Sequence, residues 1–304
     1  MKSLPIYVEI RIQGELDEIW RLTQTPDQHQ RWDLRFTEIQ YLPRPDISAP
    51  QQFLYATRIG FGLRIAGAGE SMGESHGATG RVSALKFWSD DPKSLIRSGT
   101  GYWKYVPGGE SQRFLTRYDY QTRFGFAGQV VDHFLFRPLI GWATAWSFDR
   151  LRLWIERGID PAISMERALI HANARVVLAA IWIYQGIVPK LLFQNSGELD
   201  ILRSSGLFSG HEPQILTAVG VVEVAFGLLH LLLWKRDGVF IAGIVVLLAL
   251  AVGAAVSSPA VFAQPFNPAT LTIAMIALSL AGLLTQRNLP SAGRCLRREP
   301  IGGE

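Results

Sequence analysis

Only one of the 304 residues is a cysteine, Cys295, which excludes an intramolecular disulfide, a CxxC redox pair and a cysteine-rich metal site. The six histidines (His29, His76, His133, His171, His211 and His230) fall at spacings that match no HExxH or comparable ligand pattern, so no metal site is expected. Charge is sparse as well, with Asp, Glu, Lys and Arg together at 18%. The formal net charge is +4, but the basic residues form no cluster interleaved with aromatics, which argues against a nucleic-acid partner. No unbroken apolar run follows the start, because Glu9 and Arg11 interrupt it; a signal peptide is not expected, nor export of the first domain. No catalytic nucleophile or cofactor fingerprint stands out. Gly67-Ala-Gly69 is a fragment of a dinucleotide motif that opens no helix, and it reads as a hairpin within a turn-rich stretch over residues 67–80. Glu70, Glu74 and His76 in that stretch read as a solvated loop rather than an acid–base or metal site.

What the sequence has in quantity is apolar length, and all of it lies in the second half. Residues 176–193, 214–234, 238–256 and 269–285 are each long enough to cross a hydrocarbon core of about 30 Å at 1.5 Å per residue. A helix of a soluble bundle would keep a charged face at helical period, and residues 238–256 have none. The flanks set an orientation. Arg157, Arg167 and Arg175 precede the first span, Lys235 and Arg236 join the second to the third, and Arg287, Arg294, Arg297 and Arg298 follow the fourth. The loop over residues 257–268 carries no charge. The positive-inside rule then puts both termini in the cytoplasm, in a multi-pass protein of the cytoplasmic (inner) membrane.

Glu223 falls near the middle of the second span, where a charged side chain costs about 2.5–3.5 kcal/mol on the insertion scale, so it should face the bundle interior or be protonated. Gly220, Glu223, Gly227 and His230 share one helical stripe, and Thr272, Met275, Ser279 and Gly282 form another on the fourth span. Arg175, Tyr184, Gln185 and Lys190 on or beside the first span are the candidate partners, which with Glu223 and His230 make a candidate polar site in the membrane. Two readings stay open for Glu223: hydrogen-bonded glue between helices, or a proton-relay or polar-ligand site.

The first half reads as strands and helices. Residues 5–12 alternate as a strand, residues 15–20 are helical, and strand-like runs follow over residues 36–42, 53–66, 80–87, 94–106 and 112–124. In the second of these, Tyr55, Thr57, Ile59, Phe61, Leu63 and Ile65 share one face. A long helical stretch over residues 128–158 closes the half, with Pro138 predicting a kink or a late start. The charges at Arg137, Asp149, Arg150 and Arg152 make it a helix packed across a sheet, not a fifth span.

Two resemblances follow from these residues. Arg175 with the run VVLAAIWIYQG-IVPKLLF, Gly197-Glu198, and Gly220…Glu223…Gly227 resemble the DoxX-like family of small four-helix membrane proteins. The opening VEIRIQGELDEIWRLTQTPDQHQRWD, with the order strand, helix, strands and final helix, resembles the START-like superfamily also called SRPBCC, the polyketide cyclase-like and lipid-transport domains. The expected fold is therefore α+β, a helix-grip (START-like) N-terminal domain, plus an all-α four-helix transmembrane bundle. The boundaries are residues 1–158 for the soluble domain, 159–174 for a linker, 175–287 for the DoxX-like part and 288–304 for a basic cytoplasmic tail. The helix-grip resemblance implies a hydrophobic ligand cavity, for which the candidates are Trp32, Tyr55, Phe61, Tyr118, Tyr120, Trp142 and Trp146. The chain is thus expected to be a bacterial, membrane-anchored protein that holds a hydrophobic small molecule, lipid or quinone beside its bundle. The alternatives are an accessory subunit of a quinone-linked oxidoreductase or stress-response redox complex, and a small-solute transporter, which would need a homo-oligomer. A quinone is the one cofactor implied; the expected partners are the bilayer, the apolar ligand and a membrane redox protein.

Overall fold

The computed structural model describes residues 4–300 apart from Ile47, Phe61, Ala78, Ser196 and Phe266. Two compact units emerge: Met1–Ser164 with Pro290–Glu304, and Met165–Leu289.

The first unit is built on one antiparallel sheet. Its strands are β1 (Ile6–Ile12), β2 (Glu38–Tyr41), β3 (Gln52–Gly60), β4 (Leu63–Gly77), β5 (Gly80–Trp88), β6 (Ile96–Val106) and β7 (Gln112–Thr122), in the order β1-β7-β6-β5-β4-β3-β2. Helices α1 (Leu16–Gln24) and α2 (Pro26–Trp32) connect β1 to β2. Pro26 starts α2, where the proline needs no amide hydrogen and its fixed φ suits the first turn. After β7 come α3 (Gly125–Val131), a π-turn over Asp132–Phe136 and α4 (Arg137–Arg157), which Gly158 ends in the left-handed conformation at φ 63°. Pro138 lies in the first turn of α4 and does not kink it. The sheet with α4 packed on β1 is the helix-grip arrangement.

Two local readings change. Residues 53–66 are not one strand: β3 and β4 are a hairpin that turns through Gly60 and Gly62, at φ 98° and 77°. Thr57 pairs with Ile65, so odd-numbered residues keep the same face on both sides of the turn. A period of two cannot register such a turn. Residues 67–77 are strand rather than turn, with a bulge between Ser71 and Gly73. Glu74 and His76 are exposed on that strand, 45% and 51% by side chain.

The glycines of Gly67-Ala-Gly69 serve close approach. A Cβ on Gly67 would stand 2.3 Å from the Tyr55 ring, and one on Gly69 2.3 Å from the Phe53 ring. These are cross-strand pairs, Tyr55↔Gly67 and Phe53↔Gly69, and Phe87↔Gly99 and Tyr118↔Gly101 repeat the pattern. The Tyr55, Phe53 and Phe87 rings lie over the bare backbone of their glycine neighbours, while Gly101 leaves room for the Cβ of Tyr118.

Residues 290–300, within the stretch 288–304 read above as a basic cytoplasmic tail, belong to this unit. Glu9 and Leu296 exchange two backbone hydrogen bonds of 2.9 Å, which covers the outer edge of β1. The Ser291 amide donates to Asp149 at 2.8 Å, and Cys295 Sγ reaches the Ala145 carbonyl on α4 at 3.2 Å.

The second unit is helical. It comprises α5 (Pro161–Gln185) continued by a π-helical segment Gly186–Leu192, a short α6 (Glu198–Ser204), α7 (Glu212–Leu232), α8 (Gly238–Ser257) and α9 (Pro268–Thr285). The stretch read as a linker is helical from Pro161 onward. Among the described residues, four helices are long and apolar enough to cross a membrane. The first, Pro161–Leu192, has 32 residues, roughly 48 Å at 1.5 Å each, so only part of it fits a hydrocarbon core. Their apolar residues point outward in number: Val256 and Leu284 are each 81% exposed, as lipid-facing side chains are. Inside, Leu178, Trp182, Phe240, Leu247 and Met275 form the core.

Candidate functional site

In the first unit, the concave face of the sheet and α4 enclose a cavity of about 330 Å³. Aromatic and aliphatic side chains dominate its wall, among them Phe36, Phe53, Tyr55, Phe87, Trp103 and Ile140. The Phe53, Tyr55 and Phe87 rings that lie over glycines all belong to it, so these glycine–aromatic pairs help set its floor. Tyr55 and Tyr118, from the sequence-predicted set, line the cavity. Burial pushes the Tyr55 hydroxyl up to about 12.

The other predicted residues are placed elsewhere. Trp32 is fully buried in the core, its indole N–H donating to the Leu22 carbonyl at 3.0 Å. Tyr120 turns to the π-turn, donating to Asp132 at 2.6 Å beneath the Arg137 guanidinium. Trp142 is 43% exposed and stacks on Trp146, and neither lines the cavity. Phe61 lies outside the described residues. Alternation distinguishes the two faces of a strand or helix, but it does not separate a cavity wall from a filled core.

Sequence reading missed the polar group at the cavity: His29 and Arg35 stand in its wall, with Asp33 buried behind them. The Asp33 side chain is wholly buried; it accepts Arg35 Nε at 2.9 Å and Nη2 at 2.6 Å, and His29 Nε2 lies 3.0 Å away. Burial alone would raise the Asp33 pKa, but the Arg35 charge and the hydrogen bonds from His29 and Arg35 outweigh it and hold the carboxyl well below its usual range. Burial lowers the His29 pKa against the pull of Asp33. The ring is held by Trp32, stacked at 5.0 Å, and by the edge of Trp103 at 4.8 Å. A signal existed in the sequence: His29 and Asp33 stand four apart at a helix end, hence on one face, with Arg35 two further on in the turn that follows.

The six predicted membrane residues divide into two clusters with one outlier. Lys190, on the π-helical segment, places its ammonium 2.9 Å from Glu223 and 2.6 Å from Glu198, and donates to the Gln185 carbonyl at 3.3 Å. The helices approach closely enough for this because Gly220 faces Gly186: a Cβ on Gly220 would stand 2.9 Å from the Gly186 carbonyl oxygen. Arg175, fully buried, forms the other cluster. Its guanidinium donates to His171 Nε2 at 3.3 Å and to the His230 and Arg236 carbonyls at 3.2 and 2.5 Å, and lies 4.3 Å over the Phe240 ring. It thereby neutralises carbonyls near the C-terminal end of α7. His230 is buried beside Phe226 and Phe240, and neither ring nitrogen has a hydrogen-bond partner among the described residues. Tyr184 is 61% exposed and joins neither cluster.

These features define a class: a membrane protein in which a helix-grip α+β unit with a cavity is combined with four helices, among the described residues, that are long and apolar enough to cross a membrane. The DoxX-like family model matches residues 179–280. Over 238 residues the chain is 42% identical to the uncharacterized membrane protein YndG of Bacillus subtilis (strain 168), covering 78% of this chain and 80% of that one. The chain belongs to the family of YndG and carries a DoxX-like domain in its second half. Among solved structures, it is similar to a START superfamily protein from Mycobacterium smegmatis, at 13% identity over 52% of this chain and 100% of that one, with a TM-score of 0.38. The Zhui aromatase/cyclase from Streptomyces is similar at 12% identity, over 49% and 95% of the two chains, with a TM-score of 0.36. The fold class rests on the sheet and on α4, not on these likenesses.

Proposed function

We propose that the protein is a membrane-anchored binding protein whose helix-grip domain holds a hydrophobic small molecule, a lipid or a quinone, exchanged with the bilayer around its own bundle. The cavity carries this reading. Protein interiors are close-packed and leave few voids larger than a water molecule, since an empty void forfeits the dispersion contacts of its lining. A mostly apolar space of about 330 Å³ falls within the range of about 300–1,000 Å³ typical of small-molecule sites. The membrane is the natural reservoir for such a ligand.

The same reading sets a topology in the cytoplasmic membrane. Four spans are an even number, so the chain returns to the side it left, in agreement with Pro290–Glu304 being part of the same unit as residues 1–164. The arginines flanking the first and last spans favour the cytoplasm for that side.

Native mass spectrometry of the full chain in mild detergent tests the function, with Ala143→Trp as control because Ala143 lines the cavity from α4. We expect a small apolar molecule to leave with the wild-type protein and to be lost in A143W, while annular lipid stays the same. The same complement in both proteins would overturn the reading.

A further inference from the structure

Most polar side chains of the cavity wall are already spent on the protein. The hydroxyls of Thr23, Thr57, Ser94 and Thr116 reach backbone carbonyls, and Tyr118 pairs with Thr144. His29 differs. Its Nε2 lies 3.0 Å from a fully buried carboxylate that is ionised beside Arg35, and an ionised carboxylate only accepts, so Nε2 carries the hydrogen. Burial lowers the pKa of the ring and so favours its neutral form, in which Nδ1 is a bare lone pair. No hydrogen bond to Nδ1 exists among the described residues, and the ring lines the cavity with 12% of its side chain exposed. Asp33 thus fixes the tautomer, and Trp32 and Trp103 fix the ring plane.

Resting on the reading of the cavity as a ligand site, we infer that His29 Nδ1 is the recognition point for a hydrogen-bond donor on the ligand. The ligand class is an apolar molecule with a free hydroxyl, as in a phenol, a quinol or a lipid alcohol. The corresponding ether or ketone offers no hydrogen to Nδ1 and leaves that lone pair unpaired in a dry wall, so the site discriminates against it.

The probes are 1-naphthol and 1-methoxynaphthalene, which share a ring system and differ in the donor. Their binding to the full chain in detergent is followed by quenching of tryptophan fluorescence, Trp103 being in the cavity wall. Wild-type protein should prefer the naphthol by about fivefold or more, the worth of one hydrogen bond made in place of one left unmade. In His29→Phe the ether should bind as before and the preference should fall within about twofold, since no acceptor remains. Should H29F not fold, the smaller His29→Leu decides in the same way. A wild-type protein without preference, or a preference that survives loss of the imidazole, overturns the role of His29 while leaving the cavity reading intact. If neither probe binds wild type, or both bind A143W equally well, the cavity reading fails and this inference with it.

Discussion

At the scale of single residues, the first unit is organised around a buried charge. Asp33 is buried and ionised, and its carboxylate is tolerable because Arg35 meets both oxygens and His29 adds a third contact. A pair of this kind adds little net stability relative to an apolar replacement, but removing one partner strands the other. Arg35→Met should therefore lower the stability of the first unit by about 3–5 kcal/mol. The double variant R35M/D33L should recover much of that loss; urea titration followed by tryptophan fluorescence measures both. Lys190, Glu223 and Glu198 pose the same problem in the bundle, where the ammonium sits between two carboxylates. The burial of Glu223 was legible from its place in an apolar run, and Lys190 was among the partners foreseen. His29 and Asp33 were not read as a site, because a lone histidine and a lone aspartate in a polar segment look like surface until tertiary contacts bury them.

At the scale of elements, the sheet holds its cavity open by an exchange of bulk between neighbouring strands. Glycines on β4 and β6 leave room for rings projecting from β3 and β5, and Gly101 on β6 for the Cβ of Tyr118 on β7. Replacing glycine by alanine in a strand ordinarily helps, by roughly 0.5–1 kcal/mol. At Gly67 the new methyl would stand 2.3 Å from the Tyr55 ring and 2.6 Å from the Trp88 carbonyl oxygen. Overpacking of this kind costs about 1–3 kcal/mol, so the clash outweighs the gain and Gly67→Ala should destabilise. Adding Tyr55→Ala should return only part of the loss, since the Trp88 backbone cannot move aside; thermal unfolding of the two variants checks the order. The π-helical segment Gly186–Leu192 belongs to this scale too. It carries Lys190 to Glu223, and Pro189 within it denies one amide to the regular helical ladder.

At the scale of the whole molecule, the first unit is discontinuous in sequence: its closing segment comes after the last span. That segment covers the edge of β1 and lies along α4, whose other side meets the cavity. Cys295 reports on it directly. Burial, with Asp149 nearby, pushes its thiol up to about 12, so in the folded protein it is both shielded and protonated. Maleimide labelling at neutral pH should be slow in wild type, and at least about tenfold faster in Asp149→Ala, where the Ser291 amide and Arg294 lose their acceptor. Equal labelling rates in the two proteins would mean that the segment is not held on α4.

The sequence by itself determined the class of each half: apolar length set the four spans, alternation set most of the strands, and the order of strands and helices set the helix grip. These are local properties of the chain, written in hydropathy and period. Three things were decided only by the tertiary structure. The hairpin at Gly60–Gly62 escaped because facing residues stay in phase across it. The cavity wall escaped because lining and filling have the same pattern and differ only in what stands opposite. The last residues escaped because their hold on β1 and α4 joins positions separated by nearly the whole chain, and no local pattern records a contact of that range.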